Sequence, residues 1–208
     1  MRHRDRRAPV SAPASARPPG RPRSAVADEA ILRAALDLLA ESGYRSLTME
    51  AVRERSGVGK ATLYRRYGSK EDLVRAAIVH LNADLPMPQD TGSVAGDFAA
   101  TAQTVLAGAA RTGALTLMPR LLSEVTGDPE MHALFSEHLV EPRRRVVRAI
   151  VERAKARGEI RADVDTDLAV DLMVGPFIYR MIISGGDPAA VGNPAELLGA
   201  VLAGLRPR

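Results

Sequence analysis

The sequence predicts an all-α fold of about nine helices. Three observations lead there. Apolar residues recur at helical spacing from Ile31 onward. No apolar/polar alternation bounded by hairpin turns interrupts them. Two later helix starts carry a capping residue directly before proline, Asp128-Pro129 and Asn193-Pro194. At 208 residues the chain suits one or two domains and buries a core without staples.

Residues 1–27 read as a disordered basic arm, with Pro9, Pro13, Pro18, Pro19 and Pro22 and almost nothing apolar to bury. The end of the arm, Pro19-Gly20-Arg21-Pro22-Arg23, partly resembles the minor-groove core of an AT-hook, with Pro19 where the hook carries Arg. A basic tail attracted only to phosphates is the alternative.

Helical pattern begins at Asp28, where Asp28 and Glu29 favour the positive end of the dipole. Ile31, Ala34, Ala35 and Leu38 make one apolar face, and Gly43 supplies a C-terminal stop. Thr48 caps a short second helix to about Arg55, and Ser56-Gly57-Val58-Gly59 breaks it. A third helix covers Lys60 to about Tyr67. Gly68 ends it and Ser69 caps a fourth through Leu73, Ala77 and Leu81. After a linker at 86–91, helices are expected at about 93–111, 114–126, 129–157, 166–184 and 194–204. Pro119, Pro142 and Pro176 should kink or divide theirs.

The second and third helices, joined by a glycine-containing turn, form a helix–turn–helix. Val52, Val58 and Leu63 are spaced to meet Leu38, Leu39 and Leu47 in a small core. Lys60, Thr62, Tyr64 and Arg65 then face outward. A short helix fits the DNA major groove and reads bases with its N-terminal residues.

The formal charge of +4 is unevenly placed. Residues 1–27 carry seven Arg and one Asp, residues 28–85 are neutral, and 86–208 carry a net −2. Within the neutral stretch, Arg53, Arg55, Lys60, Arg65, Arg66 and Lys70 stand against Glu54 alone between 53 and 70. Two positive regions on a neutral-to-acidic body suit a polyanion. Aromatics are few, so base-stacking platforms are not expected.

Residues 28–82 resemble the DNA-binding domain of the tetracycline-repressor (TetR)/AcrR family of bacterial transcriptional regulators. The resemblance rests on Ile31-Leu32-Arg33-Ala34-Ala35-Leu36, Gly43-Tyr44, Leu47-Thr48-Met49, the run Gly57 to Tyr67, and Ser69-Lys70-Glu71-Asp72-Leu73. Glu141-Pro142-Arg143-Arg144 and Arg157-Gly158-Glu159-Ile160 are similar to one C-terminal subgroup. The resemblance implies a three-helix helix–turn–helix DNA-binding domain at 28–85 and a larger effector-binding and dimerisation domain at 86–208. It implies DNA contacts at Thr48, Lys60, Ala61, Thr62, Tyr64, Tyr67 and Lys70; by side-chain chemistry Lys60 or Arg65 can read guanine. Tyr67 has core packing as its alternative, and Thr48 also caps its helix. Glu50 either accepts from a cytosine or only favours its helix N-terminus.

Leu168 to Ile183 is apolar around most of a helix, which predicts burial on all sides. With the resemblance, this places a homodimer interface on helices 166–184 and 194–204; an intramolecular core helix is the alternative. An effector pocket of unknown ligand is expected among Leu117, Met118, Leu121, Leu122, Phe135 and Phe177, though any core has such walls. Arg143, Arg144, Arg145 and Arg148 read as solvated or paired with Glu137, Glu141 and Glu152.

No cysteine is present, which removes disulfides, cysteine nucleophiles and cysteine-held metals. His132 and His138 do not share a face, and His80 and His3 have no partner at ligand spacing. No catalytic residue, metal or cofactor is expected. No signal peptide or spanning segment is visible, so a cytoplasmic chain without membrane contact is expected. The expected function is a sequence-specific DNA-binding transcriptional regulator, a repressor released from a palindromic operator by a small molecule. The alternative is a helical interaction module whose basic patch binds an acidic protein.

Overall fold

Helix α1 spans Arg23–Ser46 in the computed structural model, which describes residues 23–83, 85–180 and 194–205. It starts before Asp28, so residues 23–27, assigned above to the arm, are helical. Asp28 and Glu29 therefore lie past the first turn and do not cap the dipole. Asp28 pairs instead with Arg66. The rest of the arm, with its AT-hook-like run, lies outside the described residues. Gly43 interrupts α1 at φ 80° and ψ 168°, a conformation essentially reserved to glycine.

Helices α2 (Met49–Ser56), α3 (Lys60–Arg66) and α4 (Lys70–His80) follow the sequence reading closely. Thr48 accepts from the Ala51 N–H at 3.1 Å, and Ser69 from the Asp72 N–H at 3.0 Å. Gly57 ends α2 in the left-handed region at φ 67°. Val52, Leu63, Leu39 and Leu47 are buried together, with Leu38 and Val58 partly buried against them. This core continues into later helices. Leu117, Leu121, Met131 and Phe135 belong to it.

Those later helices are α5 (Val94–Thr112), α6 (Ala114–Gly127), α7 (Pro129–Phe135), α8 (Glu141–Ala156), α9 (Thr166–Ile178) and α10 (Pro194–Leu205). The stretch expected as one helix at 129–157 is divided: a π-helical turn, Ser136–Val140, joins α7 to α8. Pro142 stands in the first turn of α8. In an α-helix the residue 142 N–H would bond the His138 carbonyl, and proline has none to give. Pro119 lies inside α6 without dividing it, and Pro176 lies near the end of α9.

A second core joins α5, α8, α9 and α10 through Phe98, Ile150, Val170, Met173 and Leu202, among others. Phe177 belongs here, its ring centroid 5.4 Å from that of Phe98. Asp97 is fully buried at the edge of this core. It accepts from the Thr91 N–H at 2.6 Å and hydroxyl at 2.8 Å, and from Arg153 and Arg157 at 3.3 and 3.1 Å. Helix α9 departs from the expectation of burial on all sides. Ala169, Val170 and Met173 are buried, but Leu168, Leu172, Ile178 and Tyr179 are exposed. Residues 181–184 of the expected helix lie outside the described residues. Among the described residues no helix is long and apolar enough to cross a membrane.

Candidate nucleic-acid interface

Helix α3 is held by one fully buried side chain, Leu63, which fixes what its other faces present. Lys60, Ala61, Tyr64 and Arg65 are exposed and Thr62 is partly so. The Lys60 ammonium sits 5.8 Å from the Tyr64 ring centroid. Thr48 is exposed at the start of α2, and its hydroxyl still has a proton to donate after accepting from Ala51. Tyr67 is partly buried against the first core, and burial pushes its phenol up. It therefore packs, whatever else its hydroxyl meets.

The basic cluster divides into committed and open charges. Arg55 holds Glu41 with two bonds, at 3.0 and 2.8 Å, and Arg53 holds Glu50 at 2.7 Å. Arg66 holds Asp28. Lys70 donates to the Tyr44 carbonyl at 3.1 Å and lies 4.3 Å from the Tyr44 ring centroid. Among the described residues, Lys60 and Arg65 on α3 enter no ion pair, and neither does Lys70 at the start of α4, whose ammonium meets only the Tyr44 carbonyl and ring. Glu50 is occupied by Arg53.

A cavity of about 630 Å³ opens between α5, α6, α8 and α9. Met118, Leu122 and Phe135 line it, together with Val105, Val147 and Val174. Leu117, Leu121 and Phe177 do not. Leu117 and Leu121 are buried in the core on the side of α1, and Phe177 is stacked on Phe98. The polar groups on the wall are Arg143, Arg144, Asp171 and Tyr179. Arg144 pairs with Asp167 at 3.0 Å and with Asp171, and Arg148 pairs with Asp167 at 2.7 Å and Glu141 at 2.5 Å. Only the Arg148–Glu141 pair was among those expected for this basic run; Glu152 bonds Thr166 and Lys155 instead. Among the described residues no group of three or more His, Asp or Glu is placed to hold a metal ion.

Two family profiles match the chain. Residues 31–77 match the profile described as bacterial regulatory proteins, tetR family, and residues 88–201 match the tetracyclin repressor-like C-terminal domain. The chain belongs to the TetR family. It is 32% identical over 169 residues to the HTH-type transcriptional regulator YdeS of Bacillus subtilis (strain 168), covering 81% of this chain and 84% of that one. It is 31% identical over 166 residues to the DNA-binding transcriptional repressor TetR of Mycobacteroides abscessus, covering 79% and 87%. The solved structure of the flavonoid-responsive regulator FrrA superposes with a TM-score of 0.63 at 26% identity, covering 88% of this chain and 98% of that one. As a TetR-family chain, it is a helix–turn–helix transcriptional regulator that binds DNA.

Of the residues singled out from the sequence of this TetR-family chain, Thr48, Lys60, Ala61, Tyr64 and Arg65 are exposed, and Thr62, Tyr67 and Lys70 are partly so. Arg143, read from the sequence as solvated or paired with a glutamate, bonds Asn82 and the Leu81 carbonyl instead, and Asn82 was not singled out. The Asn82 amide donates to the His138 and Leu139 carbonyls at 3.0 and 3.1 Å, and its oxygen accepts from Arg143 Nε at 2.8 Å. The available signal was Pro142, which leaves a carbonyl on the preceding turn in need of a donor.

Proposed function

We propose that this chain is a homodimeric repressor that occupies a palindromic operator and leaves it when a small molecule fills the cavity between α5, α6, α8 and α9. The observation that carries the DNA-facing half is the pairing of a fully buried Leu63 with outward, uncompensated Lys60 and Arg65 on the same short helix. In this reading residues 28–85 form the DNA-binding domain, with α1 reaching back to Arg23, and 86–208 form the effector and dimer domain. Lys60, Ala61, Thr62, Tyr64 and Arg65 approach bases and neighbouring phosphates. Thr48, Tyr67 and Lys70 meet the backbone, where hydroxyls and ammonium groups position a protein without reading sequence.

The exposed Leu168 and Leu172 on α9, with Tyr179 directly after it, support a partner chain on that face, and helix α10, which packs on α9, is assigned to the same interface. One short recognition helix reads few base pairs, and a two-fold dimer reads two half-sites a helical turn or more apart. Repression is the direction carried by the name of the Mycobacteroides abscessus relative. An apolar cavity of this size with a few polar groups fits a small-molecule site. No residue is assigned to catalysis.

The deciding experiment measures binding to duplex DNA from upstream of the chain's own gene across a range of salt. Tight binding that falls steeply with salt is expected. Lys60→Ala with Tyr64→Phe should weaken it and flatten the slope by about one phosphate contact. Unchanged affinity and slope in that variant would remove α3 from the interface. Binding to an acidic protein but to no duplex at low salt would overturn the regulator reading.

A further inference from the structure

Arg143 lines a largely apolar cavity and has no acidic partner among the described residues, whereas Arg144 on the same wall is paired with Asp171. The neighbouring Arg144 and Arg148 both hold carboxylates. Arg143 gives Nε to the Asn82 side chain at 2.8 Å and Nη2 to the Leu81 carbonyl at 3.2 Å. Nη1 has no hydrogen-bond partner among the described residues. Burial pulls this guanidinium down to about 10, the direction expected of a charge with no anion beside it. A desolvated arginine facing an apolar space is complementary to a planar anion, which it holds with two parallel bonds.

The groups Arg143 touches end α4. Leu81 is the C-terminal cap of that helix, where a cation favours the negative end of the dipole. Asn82 follows it and ties α4 to the π turn through the His138 carbonyl that Pro142 cannot serve and the adjoining Leu139 carbonyl. Helix α4 packs on α1, and α1 on α2. The cavity wall and the helix–turn–helix thus share one polar joint, Arg143–Asn82–Leu81.

We propose that the cavity selects amphipathic monoanions, an apolar body with one carboxylate, and that the carboxylate binds the open edge of Arg143, one Nη1 proton and the second Nη2 proton, while Nε stays on Asn82 and the first Nη2 proton on the Leu81 carbonyl. This rests on the reading of the cavity as the effector site and adds the ligand class and the contact it makes. The bound carboxylate fixes the guanidinium that holds Asn82 and Leu81, so ligand occupancy tightens the end of α4 on α8 and reaches the DNA-binding helices through that joint. Such a ligand shifts the protein only by binding the tightened state better than the loose one, which the fixed guanidinium provides.

The test uses the full-length chain and two probes that differ at the head group, decanoate and decan-1-ol, measured by calorimetry. Decanoate should bind about tenfold or more tightly than decanol. Arg143→Gln should erase that preference while keeping decanol binding, and Arg143→Lys should keep part of it. Retained decanol binding shows that each variant is folded with an intact cavity. In hydrogen exchange, the amides of residues 78–83 should gain protection with decanoate and stay unchanged with decanol. Equal binding of both probes overturns the head-group assignment while leaving the cavity as a ligand site. Unchanged protection with decanoate bound overturns the coupling through the Leu81 joint. Binding of neither probe overturns the ligand class, and decanoate binding that Ala109→Trp leaves unchanged places the ligand outside the cavity and overturns the effector reading itself.

Discussion

The Tyr44 hydroxyl donates to the Glu130 carboxylate at 2.9 Å, joining the end of α1 to α7 across 86 positions of chain. The Tyr44 N–H bonds Glu124 of α6 at 3.0 Å, and its carbonyl accepts from Lys70 of α4. One residue therefore links the helix that carries the helix–turn–helix to both helices above it. Burial, then the Glu130 and Glu71 carboxylates, raise the phenol well above the ordinary tyrosine value, so it stays a donor at any physiological pH. Tyr44→Phe removes the donor and leaves Glu130 without it. The expected loss is about 1 kcal/mol of folding stability, read as a lower thermal midpoint.

Gly43 is a harsher site than its neighbour. Its backbone lies where side chains are scarcely tolerated, and a Cβ built there falls 2.5 Å from Glu124 Oε2. Gly43→Ala combines strain with displacement of the carboxylate that holds the Tyr44 N–H. A loss of about 2 kcal/mol is expected from denaturant unfolding, larger than for Tyr44→Phe. An equal or smaller loss would show that α1 relaxes freely at its break.

Asp97 sets an acid limit. Burial alone pushes its carboxyl up, but the Thr91 N–H and hydroxyl, then Arg157 and Arg153, outweigh that and hold it down at about 2. A carboxylate depressed in the folded state stabilises fully above its unfolded pKa, near 3.9, and this stabilisation is lost as pH falls toward 2. Asp97→Asn should lower stability by about 2 kcal/mol at pH 7, because two arginines lose their shared anion. The wild-type advantage over Asp97→Asn should shrink as pH is lowered from 5 to 2. A constant difference across that range would remove the ionic part of the explanation.

The arm offers a charge experiment independent of α3. Residues 1–22 hold six arginines and one aspartate. Removing them should weaken binding to any duplex about equally and lower the salt slope by several phosphate contacts, while the preference for the operator over random DNA persists. An unchanged slope would show that the arm does not meet DNA, and a lost preference would point to reading in the minor groove.

The local parts of this fold were legible because their causes lie within a few residues. Thr48 and Ser69 cap the next turn, Gly57 supplies a left-handed stop, and Leu63 faces inward by helical spacing. What stayed hidden depends on distant partners. Leu117 and Leu121 point to α1 while Met118 and Leu122, one position on, point to the cavity, and both faces of α6 are apolar. Periodicity distinguishes the faces but not what each one meets. The Arg143 partner stands 61 positions away, so a basic run on one helix gave no hint of which arginine would lack an acid. The early start of α1 was masked by prolines up to Pro22, since a helix can begin directly after one.

The exposed apolar stripe of α9 gives the last prediction. Leu168 and Leu172 are 53% and 42% exposed, four residues apart on one face of a helix that buries Ala169, Val170 and Met173 in the second core. Water contact on that scale disfavours an isolated chain, and burying two leucines per subunit stabilises an assembly by several kcal/mol, roughly 1.5–3 for each side chain fully covered. Leu168→Glu with Leu172→Glu places like charges across a two-fold interface while leaving Val170 and Met173 in the core. The native chain should sediment as a dimer and the variant as a folded monomer. Its operator affinity should fall by orders of magnitude, because a monomer engages one half-site and loses the effective concentration that links the second. A variant that remains dimeric would move the interface off this face. A monomer with undiminished affinity would show that one copy of α3 suffices for the operator.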